Sequence, residues 1–103
     1  MRRKLAELAH ARAGDKGDTL TLSLFALREA DYPLLVARVT PEAVKRHLAH
    51  VVHGEVRRYE LPNLHALQFV CERALDTGVT TSLALDPHGK SLSYALLELA
   101  IDD

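Results

Sequence analysis

Thr19-Leu20-Thr21-Leu22-Ser23-Leu24-Phe25-Ala26-Leu27 alternates with period two: Leu20, Leu22, Leu24 and Ala26 fall on one face, Thr19, Thr21 and Ser23 on the other. Strand side chains point alternately to the two faces, so this stretch reads as a half-buried β-strand. Phe25 and Leu27 add apolar groups to the nominally polar face, which predicts that another element covers that end. A two-layer structure is implied.

Directly ahead of it stands Ala11-Arg12-Ala13-Gly14-Asp15-Lys16-Gly17-Asp18. Gly14 to Asp18 gathers two glycines, two carboxylates and one lysine, and reads as a loop. Such a loop presents backbone N–H groups and an ammonium to an anion, or carboxylates to a cation. A phosphate-binding P-loop needs a Gly-Lys-Ser/Thr end running into a helix, whereas here a strand follows. In the anion reading Lys16 and the N–H groups of Gly14 and Gly17 hold a phosphate or carboxylate, Arg12 adds a second cation, and Asp15 and Asp18 orient the lysine or accept ligand hydroxyls. A Mg²⁺ or Ca²⁺ site is disfavoured, because two carboxylates are few for a hard cation and Lys16 between them repels it; no metal is assigned. The competing reading is a tight strand connection whose charges serve solubility.

Outward from the motif, Lys4 to Arg12 is rich in helix formers, and propensity alone makes it a helix. Asp31 to Val39 reads as a short helix with Pro33 near its start. Thr40-Pro41-Glu42 is a sharper start signal: a capping hydroxyl, a proline suited to the first turn and an acid at the positive helix end. That helix is expected to run to about Val52, with His53-Gly54 as its stop and Gly54 in the left-handed region. Glu55 to Leu61 reads as a strand. Pro62-Asn63 then opens a second helix, with Leu64, Leu67, Val70, Cys71, Ala74 and Leu75 at helical spacing and Gly78 after its end. Ser82 to Leu85 and Leu92 to Ile101 flank the turn Asp86-Pro87-His88-Gly89-Lys90 and read as a terminal hairpin, with a short helix over Ser91 to Leu97 as the alternative. Two main helices on a mainly antiparallel sheet make an α+β two-layer sandwich.

A chain of 103 residues suits one domain, residues 1–103, and its 48% apolar and 26% charged composition is that of a globular chain rather than a disordered one. A net charge of −1 leaves no basic excess for nucleic acid, and three tyrosines, two phenylalanines and no tryptophan offer few stacking platforms. No stretch has the roughly 20 apolar residues that span a bilayer, and the N-terminus lacks the apolar run of a signal peptide, so a cytoplasmic protein without membrane contact is expected. The one cysteine, Cys71, has no intramolecular disulfide partner and reads as a small core residue.

His47, His50 and His53 recur every three residues, but on a helix such steps drift by about 60° each and the outer two diverge by about 120°. They read as solvated histidines of a helix face. His10, carried toward the glycine motif by a strand, is an additional candidate beside it; His65 and His88 are scattered, and no triad is recognisable. Arg57 and Arg58, being adjacent, point to opposite faces of their strand and suit ion pairs with Glu55 or Glu60.

The run at 11–18, the later Gly54-Glu55-Val56-Arg57-Arg58-Tyr59-Glu60-Leu61-Pro62-Asn63-Leu64, and Asp86-Pro87-His88-Gly89-Lys90 together resemble the small ferredoxin-fold domain at the C-terminus of the acyclic terpene utilisation (AtuA) family, which also occurs as a free-standing protein. The resemblance covers almost the whole chain. It implies a ferredoxin-like fold, a strand rather than a helix over Lys4 to Arg12, and an accessory or interaction role beside a larger AtuA-type subunit in the breakdown of branched or terpenoid acids as acyl-CoA thioesters. No cofactor is expected, and no catalytic residue is assigned. The alternative is a small enzyme or ligand-binding protein that takes a phosphate or CoA ester at the glycine motif; for either, homo-oligomerisation would cover sheet edges. The family's motif carries a serine where Ala13 stands and an asparagine where Thr21 stands, so two hydrogen-bonding groups beside the motif differ.

Overall fold

The structure, a computed structural model, describes residues 2–16, 19–50, 52–73 and 90–102. Its strands are β1 (Arg2–Lys4), β2 (Ala9–Lys16), β3 (Thr19–Ala26), β4 (Val56–Leu61), β5 (Ala66–Cys71) and β6 (Ala100–Asp102). Its α-helices are α1 (Tyr32–Arg38), α2 (Pro41–His47) and α3 (Lys90–Leu97). Four strands pair in the order β2-β3-β5-β4 and two in the order β1-β6, every pairing antiparallel. The α+β reading stands.

The alternating stretch is β3, and Leu20, Leu22 and Leu24 are fully buried on one face. β2 pairs with it in unbroken register from Ala9↔Ala26 to Lys16↔Thr19. Gly14, Asp15 and Lys16 therefore belong to a strand, not to a loop, because their backbone groups find partners in β3. Only Gly17 and Asp18 of the motif stand between the paired segments, and they lie outside the described residues. The strand expected over Lys4 to Arg12 begins at Ala9; Leu5–Glu7 forms a 3₁₀ turn that buries Leu5. The cover expected over the far end of β3 is partial, since Phe25 is half-buried but Leu27 is 60% exposed.

The largest departure concerns Asn63 to Leu75, where helical spacing predicted a helix. Pro62–Leu64 is a 3₁₀ turn and His65 follows in the left-handed region at φ 50°, reversing the chain into β5. Leu67, Phe69 and Cys71 are fully buried and alternate with half-buried Gln68 and Val70. Leu67 and Cys71 satisfy both periodicities; the long-range pairing of β5 with β3 and β4 decides between them, an override that local spacing does not reveal. Ala74, Leu75, Gly78 and the 82–89 turn lie outside the described residues. Past them the helix alternative holds: α3 forms, and of the strand expected over Leu92 to Ile101 only Ala100 and Ile101 are extended, in β6 (Ala100–Asp102).

Helices and sheet share one core. Leu35, Val39, Val44, Leu48, Leu92 and Leu96 join Leu22, Leu24, Leu67 and Phe69 in one cluster. Thr40 caps α2 by accepting the Ala43 N–H at 3.1 Å. That helix stops at His47, earlier than Val52, and Lys45 Nζ donates to the Gly54 carbonyl at 2.7 Å. Gly54 is required by space rather than by a left-handed backbone: a Cβ there would sit 2.4 Å from the Glu72 carbonyl oxygen. The opposite face of the sheet is polar, and Arg12, Ser23, Gln68 and Tyr59 form one row across all four strands, exposed or half-buried.

Candidate functional site: the glycine motif and the groove beside it

Among the described residues β2 is an edge strand, and α3 packs along it. Between them lies a groove of about 410 Å³ whose polar lining is His10, Arg12, Ser93 and Tyr94 and whose apolar lining includes Ala13 and Leu97. Its size is that of a small-molecule or side-chain pocket. Arg12 and His10 are exposed, and the His10 ring lies 6.2 Å from that of Phe25 across the β2–β3 pair. Tyr94 is 67% exposed while Ser93, its neighbour on the helix, is buried. Arginine and tyrosine combine a fixed polar group with a broad apolar body, the pairing that recurs at the centres of protein interfaces.

The motif's own geometry separates the two positions at which this chain departs from the family pattern. Ala13 lies opposite Leu22 and packs against the core on the helix side. Thr21 lies opposite Gly14 on the other side, and its hydroxyl donates to the Gly14 carbonyl at 3.2 Å. A Cβ at Gly14 would stand 3.0 Å from that hydroxyl oxygen, so the glycine makes room for the threonine. The two altered groups therefore face different sides of the sheet. Arg12 and His10 border the groove, Asp15 and Lys16 are placed by their backbone pairing with Leu20 and Thr19, and Gly17 and Asp18 are not among the described residues.

The histidine triplet is taken apart by the fold. His47 is half-buried at the end of α2, and its Nε2 donates to the Ala95 carbonyl at 2.6 Å, tying α2 to α3. It is not a solvated helix-face residue. His50 and His53 are exposed but lie beyond the helix. His65 approaches Glu29 at 3.9 Å and packs edge-on against Tyr32; His88 is outside the described residues. Among the described residues no three His, Cys, Asp or Glu side chains gather as a metal site.

Arg57 and Arg58 do point to opposite faces. Arg57 pairs with Glu72 at 3.5 Å. Arg58 reaches under α1, donating to the Val36 and Val39 carbonyls at 2.8 and 3.0 Å, with Glu60 3.4 Å away. Cys71 is fully buried, and desolvation pushes its thiol up to about 11. Near the chain ends a hydrogen bond and ion pair with Glu98 at 2.8 Å raises the Lys4 ammonium pKa and lowers that of the Glu98 carboxyl. Tyr94, Ser93 and Leu97 carry no motif of their own; their signal in the sequence is the alternative helix over Ser91 to Leu97, which sets Tyr94 and Leu97 one turn apart.

An antiparallel sheet with helices gathered on one face and a motif-bearing edge hairpin defines an α+β ferredoxin-like protein. The chain belongs to the AtuA ferredoxin-like domain family, whose model matches residues 3–102. No curated protein and no solved structure matches it. Among the described residues no helix is long and apolar enough to cross a membrane.

Proposed function

We propose that this chain is an accessory domain that works beside a larger AtuA-type subunit in the breakdown of branched or terpenoid acids carried as acyl-CoA thioesters. The observation that carries the reading is the extent of the family match, residues 3–102 of 103, to a domain that resembles the small companion of a large one. The groove between β2 and α3 supports it as the contact surface, since Arg12 and Tyr94 project from an edge strand and the helix beside it. Chemical crosslinking in the native host, followed by affinity recovery of this chain, is expected to bring down one large subunit, and Arg12→Ala with Tyr94→Ala to reduce its yield several-fold. Recovery of this chain alone overturns the reading.

A second reading, an anion site at the glycine motif, is favoured by one observation: Arg12 has no ion pair or hydrogen bond among the described residues. A cation left unpaired in a groove is available to a phosphate or carboxylate. Calorimetric titration with a panel of CoA esters would then show binding that Lys16→Ala weakens without lowering the melting temperature.

A further inference from the structure

A second groove, of about 440 Å³, is lined by three arginines from three elements: Arg2 of β1, Arg38 in the last turn of α1 and Arg46 in the last turn of α2. His47 adds an imidazole whose Nε2–H is committed to the Ala95 carbonyl. Among the described residues of its lining the acid is Asp102, which stands opposite Arg2 in the β1–β6 pair. Among the described lining residues, three guanidinium groups thus face one carboxylate. Like charges gathered in one concavity focus a positive potential that attracts an anion.

Helix capping does not account for these arginines. Cations in a last turn commonly bond the terminal carbonyls of their helix. At α1, however, the Val36 and Val39 carbonyls are already taken by Arg58. At the end of α2, Lys45 reaches away to the Gly54 carbonyl and His47 to that of Ala95. Neither Arg38 nor Arg46 has a hydrogen bond or ion pair among the described residues, and both are exposed. Guanidinium groups match paired anionic oxygens by bidentate hydrogen bonds, and Ala43 and Leu99 give the groove an apolar wall for an uncharged part of a ligand.

The geometry points to a binding site for a small molecule carrying a diphosphate, held by Arg38 and Arg46 with Arg2 at the rim. This site is separate from the glycine motif, and its existence does not depend on the accessory role. The test is calorimetric titration of the whole chain with pyrophosphate, ADP and adenosine at low ionic strength, where surface charges are least screened. Saturable binding of pyrophosphate or ADP below about 1 mM is expected, at one site per chain. Arg38→Ala with Arg46→Ala is expected to weaken it by about tenfold or more, whereas Arg28→Ala, which removes an exposed arginine outside both grooves, leaves it unchanged. Thermal melts of each variant verify folding, and Arg38→Lys with Arg46→Lys, which keeps the charge but loses the fork, is expected to bind at intermediate strength. ADP binding more tightly than pyrophosphate identifies a nucleotide, equal binding a free diphosphate; either supports the site. Binding of neither, adenosine binding as tightly as ADP, or equal weakening by Arg28→Ala overturns it.

Discussion

Cys71 shows how one residue's surroundings set its chemistry. The thiol is fully buried on β5, opposite Leu20 and Val56, where a thiolate would lose its hydration. Its pKa rises from 9.0 to about 11 for that reason. The unfolded chain, with the lower value, releases this proton first, so between about pH 9 and 11 the unfolded state binds fewer protons and stability falls as pH rises. Below pH 9 both states hold the proton and the full contribution is present. A shift of that size corresponds to on the order of 2 to 3 kcal/mol by pH 11. Urea unfolding at pH 8 and pH 10.5 is expected to show a steeper loss in the parent than in Cys71→Ala; equal slopes would remove the effect. The sequence showed Cys71 as a small core residue and was right, although it placed that residue on a helix.

At the scale of elements, Arg58 fastens α1 to β4 through two carbonyls, and its side chain is only 16% exposed. Arg58→Met keeps much of the apolar stem but leaves both carbonyls unpaired. Hydrogen bonds to charged groups contribute roughly 1.5–3 kcal/mol each, so with two bonds removed a loss of about 3 kcal/mol or more is expected, read as a lower urea midpoint with unchanged slope. Arg58 also illustrates what was legible. Strand alternation predicted that it and Arg57 would part company, because that depends only on backbone pleat. Its destination under α1 depends on packing that no local pattern contains. The same division holds elsewhere: β3, α1 and the Thr40 cap were readable from short-range chemistry, whereas β5 was missed because Leu67 and Cys71 fit two periods and its strand partners lie far away in sequence. The glycine motif was recognised as a unit, but its division into strand residues up to Lys16 and a connection beyond came only with the β2–β3 register. Tyr94 and Leu97 entered the groove for the same kind of reason, since a groove between β2 and α3 exists only once the two elements meet.

Across the whole molecule, stability should be graded from the sheet centre to the chain ends. β3 is paired on both sides, by β2 over eight residues and by β5 over six, and its buried leucines face the common core. β5 is likewise paired on both sides. The β1–β6 pair spans only three residues and forms its own two-stranded sheet, although the Leu5 N–H bond to the Leu99 carbonyl at 2.9 Å and buried Ile101 anchor it. Short, separately paired segments open without the rest, while central strands open only with the whole. Native-state hydrogen exchange is expected to place the backbone amides of Leu22, Leu24, Leu67 and Phe69 in the slowest class, exchanging at the free energy of global unfolding. The amides of Arg3 and Ile101 should exchange at least about tenfold faster, through opening of the β1–β6 pair alone. Ligand binding in the arginine groove, whose lining includes Arg2 and Ile101, would slow exchange at that pair and, because the unfolded chain does not bind, slow the globally exchanging amides of β3 and β5 as well. If Arg3 and Ile101 instead match the central strands in the ligand-free chain, the two sheets unfold as one unit and the graded picture is wrong.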